Sequence, residues 1–434
     1  MQLKAGILRI ITLCLTLLML AGCAKSLVKT DHQTILEQPV RTTEAEQSKL
    51  AKVIPGNENL LLNYLHLLNG KRVGLLTNPS GVDRMLRATA DILAAHPEVQ
   101  LTALFGPEHG IRGAIYAGES IGDEKDARTG LPVYSLYGDH RAPTGQMLKN
   151  IDLMLVDIQD IGLRGYTYIY SMAKVMQAAA KYDKEVIVLD RPNPIGGIQV
   201  EGNLVMEGFY SFVGLYPIPY RHGMTIGELA QYFNIEFDIK CKLTVIPALN
   251  WRREMLWPET GLPWVAPSPH VPHWETILFM GATGVLGELH ALSEGVGYTA
   301  PFEIVGAPWI QGRQLADSLN NIGLPGVRFR PLYYKPYYAT YQGEVCQGVQ
   351  LYLTERTAFN SYSTGLQIIQ TIMKLYPDHN LFSDKERVDM FNKVVGCDWI
   401  MIGLKNGISV RELESKWQRE LEDFKQVREK YLIY

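Results

Sequence analysis

The sequence predicts an α/β fold. A Rossmann-like domain built on a parallel sheet is expected over residues 56–260, and a smaller α/β domain over residues 261–434. Three observations lead there. Short, continuous apolar runs rich in Val, Ile and Leu alternate with stretches of helical character. Those runs lack the polar alternation of a half-exposed strand, so both faces of the sheet must be covered. Each run stops at a turn bearing Gly, Pro or polar side chains, as strands feeding crossover helices do. Composition agrees: 47% hydrophobic and 20% charged residues suit a chain that buries sizeable cores, and exclude a disordered chain, a collagen-like fibre or a disulfide-stapled miniprotein. The 42 Lys and Arg against 45 Asp and Glu lack the basic excess of a nucleic-acid binder.

Strands are expected at residues 71–78, 101–105, 151–157 and 185–190, each a compact apolar run. Helices are expected at 89–96, 168–182 and 224–233. The last carries Thr225 and Glu228 at capping-box spacing. Residues 258–272 contain five prolines and read as a connection. Beyond it come a strand at 349–354, a helix at 363–376 and a charged helix from about 409 to 430. In that last helix Leu413, Trp417, Leu421 and Phe424 recur about one turn apart, the stripe of a helix packed on its domain.

The first residues address a compartment. Lys4 and Arg9 precede an apolar run over 10–20, too short to span a bilayer, which ends in Leu20-Ala21-Gly22-Cys23. That order resembles a bacterial lipobox. Residues 1–22 are therefore expected to be a signal peptide, with Cys23 carrying lipid and residues 23–55, polar and aperiodic, acting as a tether. Ala24, in place of Asp, makes the outer membrane the expected anchor, with the fold on the periplasmic side. Cys241, Cys346 and Cys397 remain for the folded part and allow at most one disulfide. With no CxxC and no zinc-like His spacing, neither a metal nor a cofactor is expected.

In a parallel sheet, ligands sit beyond the carboxyl ends of the strands. The turns there hold the candidate chemistry. Asn78 follows the first strand. Glu108 and His109 lie in Phe105-Gly106-Pro107-Glu108-His109-Gly110, where proline fixes the backbone and glycine admits a ligand. A carboxyl there serves as a general acid if burial raises its pKa; the competing reading is a loop-capping Glu. Glu119, in a Gly-bearing loop, is a candidate partner carboxylate or a solvated loop residue. Asp157, Gln159, Asp160 and Arg164, followed by Tyr166 and Tyr168, fit either sugar binding or an internal Asp–Arg pair. Arg191 and Asn193 flank a proline, and Arg221 and His222 precede a helix N-terminus suited to an anion; both sets read equally as ordinary turn residues. Gly281, Gly284 and Gly287 imitate a dinucleotide fingerprint, but Pro301 follows too soon and the setting is mid-chain.

Several of these strings, in this order, resemble one family: Leu75-Leu76-Thr77-Asn78-Pro79-Ser80-Gly81, the Glu108 turn, Asp157 to Arg164 with Tyr166 and Tyr168, Asp190-Arg191-Pro192-Asn193-Pro194, Arg221-His222-Gly223 and the ending Tyr431-Leu432-Ile433-Tyr434. The chain is similar over residues 56–434 to NamZ-type exo-β-N-acetylmuramidases, formerly a domain of unknown function. The resemblance implies an active site in a cleft between the two domains and release of non-reducing-end N-acetylmuramic acid from peptidoglycan fragments. It implies Glu108 as the catalytic group, with Glu119 or Asp157 as second carboxylate or the substrate's N-acetyl group as nucleophile. Asn78, His109, Arg164, Tyr166, Tyr168, Arg191, Asn193, His222 and Glu294 would hold the sugar. Two departures stand out. His270 ends Pro267-Ser268-Pro269-His270 where the family has Asn, and Val296 replaces the Arg of Ser293-Glu294-Gly295-Val296-Gly297-Tyr298. They leave open a hydrolase of another amino sugar or a non-catalytic muropeptide binder.

Overall fold

The computed structural model describes residues 52–113, 124–138 and 140–434. Cys23, most of the tether and Glu119 lie outside the described residues.

Seven strands form the first sheet: β1 (Arg72–Thr77), β2 (Gln100–Gly106), β3 (Glu124–Lys125), β4 (Pro132–Ser135), β5 (Leu153–Asp157), β6 (Glu185–Leu189) and β7 (Lys242–Ile246). Their spatial order is β3-β4-β2-β1-β5-β6-β7, all parallel except the edge strand β3. The chain runs from β1 to β2 on one side and to β5 on the other. The topological switch point, where such sheets bind ligands, therefore lies beside β1. Side-chain alternation explains the unbroken apolar runs. Leu75, Leu104, Leu155 and Ile187 enter one core, with Leu60 and Leu93. Leu76, Phe105, Val156 and Val188 enter the other, with Ile169 and Met172 of the Tyr168–Lys181 helix.

The second half holds an antiparallel sheet of β8 (Ile304–Ala307), β9 (Val327–Tyr334) and β10 (Cys346–Leu353), ordered β8-β10-β9, with helices against it. The larger core continues into this half through Val349, Leu366 and Trp417. Leu413, Trp417, Leu421 and Phe424 are all buried along the Val410–Arg428 helix. Strands β4, β7, β8 and β9 carry weak sequence signals: β4 and β8 have four residues each, β7 buries only Ile246 fully, and β9 mixes buried with exposed positions.

Local signals held where they had a mechanism. The amide of Glu228 donates to Thr225 Oγ1 (3.2 Å) and the amide of Thr225 to Glu228 Oε2 (2.9 Å), closing the capping box on the Ile226–Glu236 helix. The glycines at 281, 284 and 287 lie within the Thr276–Gly287 helix, not in a phosphate loop. A Cβ at Gly281 would strike Ser361, and one at Gly365 would strike the carbonyl of Ala282. The small residues let this helix close on Ser361–Leu375. The three cysteines at 241, 346 and 397 are buried free thiols.

The C-terminal residues return to the first sheet. Tyr434 donates its hydroxyl to Asp190 Oδ2 (2.7 Å) and accepts from the amide of Ala248 (2.7 Å), while the amide of Ile433 donates to Glu228 Oε1 (2.9 Å). Burial and the Glu228 carboxylate push Asp190 up to about 7, against donors from Thr225, Gly227 and Tyr434.

Candidate active site

The ends of β1 and β2 deliver two polar turns beside the switch point. After β1, Asn78 Oδ1 accepts from the amide (3.1 Å) and hydroxyl (2.5 Å) of Ser80, which leaves Nδ2 to donate to the carbonyl of Pro267 (3.3 Å). After β2, the amide of Gly110 donates to the carbonyl of Pro107 (2.9 Å), closing a tight turn that holds Glu108. His109 sits at φ 70°, a left-handed conformation costly for a residue with a Cβ, and such strain concentrates at functional sites. Glu108 is half-buried, and its Oε2 accepts from Thr167 Oγ1 (3.3 Å). Thr167 and Tyr168 begin the helix that follows β5. The hydroxyl of Tyr168 lies 2.7 Å from the carbonyl of Pro267 and 3.2 Å from that of Glu108. Its one proton goes to the nearer. Burial holds this phenol well above its ordinary range, so it stays a donor.

The opposite wall is the segment Pro267 to His270. Tyr166, buried edge-on against Tyr168, places its hydroxyl by Ser268. His270 Nε2 lies 2.9 Å from the hydroxyl of Tyr338. Burial and the neighbouring His109 push the His270 imidazole below its ordinary value, so it is neutral at pH 7. The wall continues into the second half: the amide of Tyr337, next to Tyr338, donates to the carbonyl of Gly297 (2.7 Å). Gly297 belongs to the loop carrying Glu294 and Val296. Burial, joined by the Glu288 carboxylate and opposed by a backbone donor, raises Glu294 to about 7.

The structure brings Asn78, Glu108, His109 and Tyr168 together and corrects five other expectations. Asp157 is 0% exposed and gives both oxygens to Arg191, at 2.6 and 2.9 Å. It is not a second carboxylate poised on a substrate, and Arg191, which also donates to the carbonyl of Val82, does not grip one. Arg164 is fully buried and donates to four backbone carbonyls, those of Asn203, Ile218, Val394 and Val395. It ties the first sheet's loops to the second half. Asn193 bridges the amide of Ile195 and the carbonyl of Met224. His222 is fully buried, accepts from the amide of Met224 and lies 3.2 Å from Asp160 Oδ2. Tyr166 stays at the site through Ser268, although its ring is buried. Thr167 and Tyr338 were missed. The first sits inside the quoted Tyr166-Thr167-Tyr168 string, and the second lies in a tyrosine-dense run, Tyr333 to Tyr341, whose density was the available signal.

One half-buried carboxyl, a neutral imidazole wall and hydroxyl donors suit proton transfer to a polar, uncharged leaving atom. Among the described residues, no group of three His, Cys, Asp or Glu is placed to hold a metal ion. The family model for the N-terminal part of exo-β-N-acetylmuramidase NamZ matches residues 73–275, and that for its C-terminal part matches 278–434. The chain belongs to the NamZ exo-β-N-acetylmuramidase family. It is 47% identical over 389 residues to the peptidoglycan β-N-acetylmuramidase NamZ of Bacillus subtilis (strain 168), covering 90% of this chain and 93% of that protein. Two crystal structures of DUF1343 family proteins from Bacteroides fragilis NCTC 9343 share the NamZ-family fold. One has TM-score 0.84 at 44% identity and the other 0.69 at 30%; each match covers 88% of this chain and 99% of that one.

Proposed function

We propose that this chain is an exo-β-N-acetylmuramidase that removes non-reducing-end N-acetylmuramic acid from peptidoglycan fragments. The observation that carries the reading is Glu108: a half-buried carboxyl on a strained turn beside the switch point, held by Thr167 and next to Tyr168, in a chain of this family. Glu108 protonates the glycosidic oxygen as the bond breaks. Thr167 holds its Oε2, which fixes the direction in which the other oxygen points. Asn78, His109 and Tyr168 border the sugar, and Glu294 contacts it from the second half. With Asp157 spent on Arg191, the remaining candidates for the second group are Glu119 and the substrate's own N-acetyl oxygen. Lipidation at Cys23 would hold the fold on the periplasmic side of a bacterial membrane, within reach of cell-wall fragments.

The test is hydrolysis of a MurNAc–GlcNAc disaccharide by the wild type and by Glu108→Gln. Turnover by the wild type and a loss of about 10²–10⁴-fold in the variant support the reading. Retained activity in Glu108→Gln removes its role. Saturable binding with no turnover by the wild type supports a muropeptide-binding lipoprotein instead.

A further inference from the structure

A partly exposed aromatic surface adjoins the site. The loop between β9 and β10 is pinned at several points. The amide of Tyr337 donates to Gly297, the amide of Gly343 donates to the carbonyl of Pro336 (2.9 Å), and the hydroxyl of Tyr341 donates to the carbonyl of Ala291 (3.0 Å). A Cβ at Gly297, whose φ is 90°, would strike the carbonyl of Tyr338, so glycine is what lets the loop seat. Held this way, the loop turns two rings outward: Tyr337 is 69% exposed and Tyr338 50%. Tyr337 stacks on Tyr298 with ring centroids 5.9 Å apart and planes 20° apart. Tyr298 also borders a cavity of about 400 Å³ shared with Tyr333. Ordered, solvent-facing aromatics of this kind are usual on a binding surface.

The geometry points to Tyr298, Tyr337 and Tyr338 as a platform for the sugars on the leaving side of the cleaved bond. This inference rests on the exo-muramidase reading above. An exo-acting enzyme encloses the terminal sugar and must let the rest of the glycan leave over open surface. The turn with Glu108 is half-buried, whereas the tyrosines are exposed. The two are linked: Tyr338 bonds His270, and His270 lies near enough to His109, the neighbour of Glu108, for the His109 imidazole to disfavour charge on His270. Stacked phenol rings match the apolar face of an amino sugar, and their hydroxyls match its edge. The chain carries a tyrosine at 298 and an uncharged Val296 in this loop. These loop residues therefore offer ring contact on this side, and Arg330, which lines the Tyr298 cavity, adds a charge.

Tyr337→Ala and Tyr337→Phe separate the platform from the catalytic centre. Hydrolysis of an aryl β-N-acetylmuraminide, whose leaving group carries no sugar, is compared with hydrolysis of a MurNAc-terminated tetrasaccharide. The expected result is a drop of about tenfold in kcat/KM for the tetrasaccharide in Tyr337→Ala, with near-wild-type rates on the aryl glycoside and in Tyr337→Phe. An equal effect on both substrates, or none, overturns the platform. If the wild type hydrolyses neither substrate, the exo-muramidase reading fails by itself. Calorimetric binding of the tetrasaccharide to wild type and to Tyr337→Ala then decides the platform: unchanged affinity overturns it, and about tenfold weaker binding upholds it.

Discussion

The turns after β1 and β2 and the turns after β5 and β6 sit on the same edge of one sheet and use the same residue types. After β2, Glu108 is only partly buried and its carboxylate accepts from the hydroxyl of Thr167, whereas Asn78 after β1 is buried and bonded to Ser80 and Pro267. After β5 and β6, Asp157 and Arg191 close on each other, Asn193 on the backbone, and His222 on Asp160. Arg164 buries its whole guanidinium among carbonyls. Charged side chains at strand ends thus divide into one set that meets a ligand and one that builds the frame. The difference lies in whether a partner of opposite character is already within reach.

Four substitutions press on that division. Glu108→Gln should carry the largest functional effect, about 10²–10⁴-fold in kcat, with an unchanged thermal midpoint. A large fall in midpoint would move Glu108 into the frame. Arg191→Ala should do the reverse. It strands the Asp157 carboxylate in the interior, at a cost of roughly 3–5 kcal/mol seen as early chemical denaturation. If Arg191→Ala stays stable and only KM rises, the pair is a ligand site after all. Arg164→Met should cost roughly 3 kcal/mol, since the carbonyls of Asn203, Ile218 and Val394 lose their Arg164 donors and that of Val395 keeps Asn203 Nδ2. Lysine, with a point charge and no fork, should not restore it.

The smallest effect concerns pH. Glu294 is raised from 4.5 in the unfolded chain to about 7 in the fold. The folded state therefore holds a proton that the unfolded state has released, and Glu294's contribution is whole below about 4.5 and fades as pH rises through about 7. Melting midpoints of Glu294→Gln and wild type, followed from pH 4 to 8, should diverge in that window, the variant falling less. Parallel curves would show that Glu294 is solvated.

Much of the fold was legible because its signals were local. Continuous apolar runs marked β1, β2, β5 and β6, and Thr225 with Glu228 marked a helix start. Short or half-exposed strands such as β8 and β7 were not, since four residues or a mixed face resemble a loop. At the site, Asn78, Glu108 and Tyr168 could be found from their turns. Thr167 and Tyr338 could not be assigned, because their roles come from Glu108 and His270, which lie 59 and 68 residues away.

The sequence by itself determined the α/β class, the parallel sheet and the edge of it that bears the chemistry, since period, apolar content and turn residues act over a few positions. Tertiary structure alone decided which polar groups on that edge are free to work. A carboxylate and a guanidinium look the same in a string whether they meet each other or a sugar; only the distances, 2.6 Å between Asp157 and Arg191 and none so short from Glu108 to a cation among the described residues, separate the two cases.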